Sequence, residues 1–189
     1  MNEKILNCIE KFSIFMVVAT SSYIIYAIYL LEFQKESETN SAVNCSTDNI
    51  NILKTEIEDR IVSPNMTNSI DSVSRYVVTD NIYTTVDKDY IEHLLTLDDV
   101  NTFPYKTEVF DCDEFGLILL ANIMQLSRKC EYLYRIAFGM LIGTETTTKE
   151  THLLNFFIDK KTIFWCVEPQ TDEIFLCDNG KYSFEFLFI

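Results

Sequence analysis

From Phe12 to Leu31 the chain runs for twenty positions without a charged side chain (FSIFMVVATSSYIIYAIYLL). A helix of that length covers roughly 30 Å, the hydrocarbon thickness of a bilayer. The pattern predicts a transmembrane anchor over residues 12–31. A cleaved signal peptide would show an apolar region of about 7 to 15 residues ending in a small-x-small site. A buried core helix is disfavoured because no polar stripe divides the run. Lys4 and Lys11 precede the run and only Lys35 follows closely. That bias makes residues 1–11 a cytosolic tail and places the C-terminal domain of a single-pass membrane protein in the lumen or outside the cell. Two glycosylation sequons downstream, Asn44-Cys45-Ser46 and Asn65-Met66-Thr67, agree with that orientation.

Residues 32–74 are polar and rich in Asn, Ser and Thr, with one short apolar patch at Ile50 to Leu53, and read as a stalk. Hydrophobic periodicity returns at Arg75 and continues to Ile189, which gives residues 75–189 the size of one domain with its own core. A formal charge of -14 repels phosphate backbones and excludes nucleic acid as a partner.

Within this domain, Tyr90, Ile91, Leu94 and Leu95 predict a helix over Asp87 to Leu97, with His93 on its surface. A longer helix is expected to open at Cys112, where Asp111 can act as N-cap and Glu114 can reach back three residues later. Strands are expected over Tyr134 to Leu141, His152 to Ile158 and Thr162 to Val167, the last two forming a hairpin. Closed through two or three residues, that hairpin sets His152 opposite Glu168 or Pro169. A final hairpin is expected around Asn179-Gly180, with Phe184, Phe186 and Phe188 on one buried face.

A thiol at a helix start, a histidine on a strand and a carboxylate on the next strand make up the arrangement a cysteine nucleophile requires. Cys112 would attack, His152 would take its proton and Glu168 would orient the imidazole. The stretches Phe110-Asp111-Cys112-Asp113-Glu114-Phe115, His152-Leu153-Leu154-Asn155 and Glu168-Pro169-Gln170 are similar to the peptidase domain of the Marasmius oreades agglutinin family, fungal chimerolectins with a papain-like protease half. The resemblance covers about residues 103–175. It implies an α+β papain-like cysteine peptidase fold, a long helix packed on an antiparallel sheet, and a triad of Cys112, His152 and Glu168. On that reading the chain is a membrane-anchored thiol hydrolase acting on a protein or peptide substrate. No carbohydrate-binding trefoil precedes the domain, so sugar binding does not carry over.

Three acids crowd the thiol and would raise its pKa, a conflict that a divalent cation with oxygen ligands would relieve. The resemblance implies calcium, with Glu114 and Gln170 as ligands and Asp113 as a further one. Cys45, Cys112, Cys130, Cys166 and Cys177 leave one thiol unpaired in an oxidising compartment, and the spacing fixes no connectivity. The alternative from another class is a catalytically silent papain-like module used for adhesion or partner binding.

Overall fold

The computed structural model describes residues 43–46, 49–62 and 73–189. Strand β1 (Ile50–Leu53) runs directly into helix α1 (Lys54–Val62), and β2 (Arg75–Val77) and β3 (Ile82–Thr85) follow. Next come α2 (Lys88–Leu97), a 3-10 turn at Val100–Thr102, and α3 (Cys112–Ser127). The chain ends on five strands: β4 (Phe138–Glu145), β5 (Thr151–Ile158), β6 (Phe164–Glu168), β7 (Glu173–Leu176) and β8 (Tyr182–Phe188).

Six strands form one sheet in the order β2-β8-β4-β5-β6-β7, with β2 parallel to β8 and the other pairs antiparallel, while β1 and β3 make a separate two-stranded sheet. Both faces of the large sheet are covered. Leu154, Phe156 and Ile158 of β5 join a core with Ile57 and Ile61 of α1. Phe138, Phe157 and Val167 join another with Leu94 of α2 and with Phe115, Leu119, Ile123 and Leu126 of α3. The spacing of the last four places them on one helix face, which packs on β4 and β5.

Several expectations are corrected here. The expected α+β papain-like architecture, a long helix on an antiparallel sheet behind a membrane helix, gives way to a predominantly β fold. It has a mixed six-stranded sheet, a second small sheet and, among the described residues, three helices of 9, 10 and 16 residues. Among the described residues no helix is long and apolar enough to cross a membrane. The run Phe12 to Leu31, the tail 1–11 and the sequon at Asn65 lie outside the described residues, and the single-pass localisation loses its structural basis. Part of the stretch read as a stalk folds with the sheet. Ile52, Ile57 and Ile61 are core residues, and a disulfide ties Cys45 to Cys130.

The final hairpin does not form. β7 pairs with β6 and β8 with β4, at opposite ends of the sheet order. Nor do Phe184, Phe186 and Phe188 share a buried face, because the register shifts between Ile142, which faces Phe186, and Gly143, which faces Phe184. Glu185 is the extra residue of this bulge, so burial passes from Phe184 to Leu187. Gly143 suits the bulge because a Cβ there would press on the Ser183 carbonyl at 3.0 Å.

Candidate functional site

Helix α3 begins at the floor of the site. Asp111 precedes it in extended backbone, and Glu114 Oε2 accepts the Asp111 N–H at 2.9 Å in a capping box that fixes the chain's entry. Asp111 Oδ2 also accepts the Glu108 N–H at 2.9 Å. Cys112 therefore occupies the first helical position. It is the free cysteine of the described residues, since Cys45 pairs with Cys130 and Cys166 with Cys177.

The β5–β6 connection sets the second part. Asp159 is buried, and its carboxylate accepts N–H groups from Lys161 at 2.8 Å, Ile163 at 2.9 Å and the Trp165 indole at 2.9 Å. This organises a longer loop than the two or three residues expected, and the register pairs Asn155 with Val167 and Ile158 with Phe164. His152 and Glu168 are consequently diagonal neighbours on one face rather than directly opposite. They still meet, with His152 Nε2 2.7 Å from Glu168 Oε2. The other Glu168 oxygen accepts the Gln170 N–H at 3.2 Å. The His152 ring stacks on Tyr182 at 6.1 Å and 18°, and Tyr182 in turn stacks near Phe175 and Phe184.

Cys112, His152 and Gln170 line one open cleft of about 580 Å³. Glu168 stands behind His152. Sequence reasoning missed Tyr105, Tyr182, Glu145, Glu150 and Thr151, which complete the lining. No local signal marks them. Tyr182 comes from a strand four positions away in sheet order from β7, and Glu145 and Glu150 flank a Thr-rich turn in a chain already crowded with acids.

Burial pushes the Cys112 thiol up. The Leu153 backbone amide pulls it partly back, and Asp111 and Asp113 push it further up. A thiol pushed up in this way gives less of the thiolate that is the nucleophilic form. The Asp111 and Asp113 carboxyls share a side-chain hydrogen bond that holds Asp111 low and pushes Asp113 up. Ligand atoms of Asp111, Cys112 and Asp113 lie within 4.8 Å of one another. Glu114 spends one oxygen on the cap, and Gln170 faces the cleft.

Asn155 is fully buried on the opposite strand face from His152. Its Nδ2 donates to the Gly116 carbonyl at 3.0 Å and the Gly139 carbonyl at 3.3 Å, which ties α3 to β4. His93, on α2, accepts the Asn44 N–H at 3.3 Å.

The turn carrying Gln170 holds a strained acid. Asp172 sits at φ 60° with Oδ1 buried and unpartnered, and burial followed by the Asp98 charge pushes its carboxyl to about 6. A folded-state value above the unfolded one means that this group favours the fold at low pH and loses that contribution as pH rises from about 4 through 6. A carboxyl moved that far carries on the order of 2–3 kcal/mol in full, which solvent around a half-buried side chain screens to about 1 kcal/mol. Asp172→Asn is expected to raise stability at pH 7.5 by about that amount and to change nothing at pH 4, as read by urea unfolding at the two pH values. An unchanged midpoint at pH 7.5 would count against the strain.

The observation that decides the relationship is a sequence match. Residues 83–174 match the agglutinin C-terminal family. The resemblance to the Marasmius oreades agglutinin family therefore holds at the level of the agglutinin C-terminal region. Among solved structures the chain is similar to one described as a PSL1a-E64 complex, with a TM-score of 0.61, 16% identity and coverage of 74% of this chain and 51% of that one. It is also similar to the Polyporus squamosus lectin bound to a human-type influenza-binding epitope, with a TM-score of 0.52, 18% identity and coverage of 61% and 42%. The chain thus spans about half the length, or less, of the solved structures it matches. No curated protein matches it.

These findings correct the enzymatic reading. The matched family is described as an agglutinin C-terminal region, and of the two similar solved structures one is described as a lectin and the other as an E64 complex. The hydrolase and thiol protease expectation, with its protein or peptide substrate, is set aside.

Proposed function

We propose that the chain is a binding module of the agglutinin C-terminal type, that its ligand site is the cleft over Cys112 and His152, and that the ligand is a saccharide. The observation that carries this reading is the cleft's lining. The exposed Tyr105 offers an aromatic face to the apolar side of a sugar ring, while Tyr182, Gln170, His152, Thr151 and the glutamates offer polar groups for its hydroxyls. Cys112 forms part of the floor, and Glu168 acts through His152 by fixing the imidazole. The Polyporus squamosus lectin, of which the match covers 42%, is described with a bound saccharide epitope, and the proposal departs here from the expectation that sugar binding does not carry over. A glycan array probed with the full chain tests the proposal. Binding that falls more than about tenfold in Tyr182→Ala supports it, and an array with no signal, or a signal indifferent to Tyr182, opposes it.

Calcium is proposed as a structural partner of the same region. Asp111 and Asp113 have the hard oxygen chemistry that the ion takes, at the mutual spacing already described. Glu114 and Gln170 are the secondary candidates. When bound, the ion would neutralise the acids at the start of α3. Saturating calcium is expected to raise the unfolding free energy by about 2–3 kcal/mol over excess chelator, at roughly a hundred times the dissociation constant. Asp113→Asn should abolish the increment. Equal melting curves in calcium and chelator would refute the site.

A further inference from the structure

Helix α3 starts at the cleft over Cys112 and runs to a second hollow near its other end. This hollow, of about 550 Å³, is walled by Leu120 and Met124 of α3 together with Ile136 and Phe188. It shares no lining residue with the first cleft. Its size falls within the roughly 300–1,000 Å³ of small-molecule sites, which are mostly apolar with a few placed polar groups. Its charge is the reverse of the chain's. The chain holds 29 acids against 15 lysines and arginines. Among the described residues, the charged groups lining this hollow are nevertheless Arg128 and Arg135, with no Asp or Glu.

Both guanidinium groups keep donors to spare. Arg135 is held by long contacts, at 3.4 Å to Thr79 Oγ1, 3.4 Å to the Phe138 carbonyl and 3.5 Å to Asp80, with its face over the Tyr83 ring. A well-made N–H···O bond is about 2.7–3.2 Å long. The Arg135 Nε is buried and has no acceptor, an unfavourable state for a donor. Arg128 is exposed and makes no ion pair among the described residues. Nor is its side chain spent on the helix end. The Met124, Leu126 and Ser127 carbonyls accept the N–H groups of Arg128, Lys129 and Cys130 at 3.1, 3.1 and 3.0 Å. Leu133, 82% exposed, also lines the hollow, and hydrocarbon laid against it would leave water.

We infer that this hollow binds a single-chain amphipathic carboxylate, its hydrocarbon against Leu120, Met124 and Leu133 and its carboxylate on Arg128 and Arg135. Forked guanidinium donors match a carboxylate in geometry, and the methionine adapts to an unbranched chain. Charge selects a monoanion. Asp80 offsets one of the two arginines, and the C-terminal end of α3 adds roughly half a negative charge, so a dianion would exceed what remains. This site is independent of the saccharide reading.

Calorimetry on the full chain with decanoate, decyltrimethylammonium and acetate tests it. Decanoate is expected to bind saturably, at least about tenfold more tightly than the cation with the same tail, and acetate to give no saturable heat. Arg128 and Leu133 are exposed, so Arg128→Gln and Leu133→Glu are expected to keep the fold, which circular dichroism checks. Each should weaken decanoate about fivefold or more. Equal binding of the two decyl probes, acetate binding as tight as decanoate, or no decanoate binding overturns the site. An affinity for decanoate unchanged in either folded variant overturns it as well.

Discussion

Loss of the Cys45–Cys130 disulfide is expected to destabilise the folded unit by about 4–5 kcal/mol, more than loss of Cys166–Cys177 does. The bridges span sequence separations of 85 and 11. Loop-closure entropy grows with the logarithm of that separation and gives about 3 kcal/mol for the shorter loop. A total stability of roughly 5–15 kcal/mol leaves little after the larger loss. The long bridge also ties the segment before β1 to the end of α3, beside Tyr90 and Tyr132. Cys45→Ala/Cys130→Ala and Cys166→Ala/Cys177→Ala should be compared by urea unfolding. The first is expected to melt lower by roughly 10 °C or more. The opposite order would mean that native packing around the buried Cys166 and Cys177, rather than chain entropy, dominates.

Asn155→Asp is expected to abolish folding at neutral pH. The side chain is fully buried and donates to two carbonyl oxygens, Gly116 on α3 and Gly139 on β4. Replacing its NH₂ by a carboxylate oxygen sets a charge against both carbonyls and leaves them without a donor. Each orphaned group costs about 1–3 kcal/mol, and the unpaired charge costs several more. Asn155→Ala should cost about 3 kcal/mol and still fold. Protonation restores a donor, so Asn155→Asp is expected to regain structure as pH falls below about 5, reported by far-UV dichroism. A native spectrum for Asn155→Asp at pH 7.5 would show that the amide is not the tie between helix and sheet.

What the sequence made legible follows how local the cause is. The start of α3 could be read because Asp111 and Glu114 are three residues apart and satisfy each other, and its buried face could be read because helical periodicity is local. The nearness of His152 and Glu168 could be read because a short hairpin joins them. The loop organised by Asp159 shifted the register without separating them, since a two-residue offset keeps the same face. The pairing of β7 and β8 could not be read, because a turn at Asn179-Gly180 looks the same whether its strands pair with each other or with β6 and β4. The bulge at Glu185 was equally hidden. The role of Ile52, Ile57 and Ile61 was masked by a polar neighbourhood that resembled a stalk. The enzymatic reading failed differently. Three residue types in the expected order describe a constellation, but burial and the flanking acids push the Cys112 thiol up, and a linear motif does not report that environment.

The central proposal is that the Cys112–His152 cleft is a ligand-binding site rather than a catalytic one. Amide chemical shifts followed during titration of the full chain with the best array saccharide, with casein peptides incubated in parallel and analysed by mass spectrometry, test it most directly. The account predicts saturable shifts centred on Tyr105, His152, Gln170 and Tyr182, retained in Cys112→Ala, with the peptides intact. Cleavage of the peptides by the wild-type chain that disappears in Cys112→Ala would contradict it.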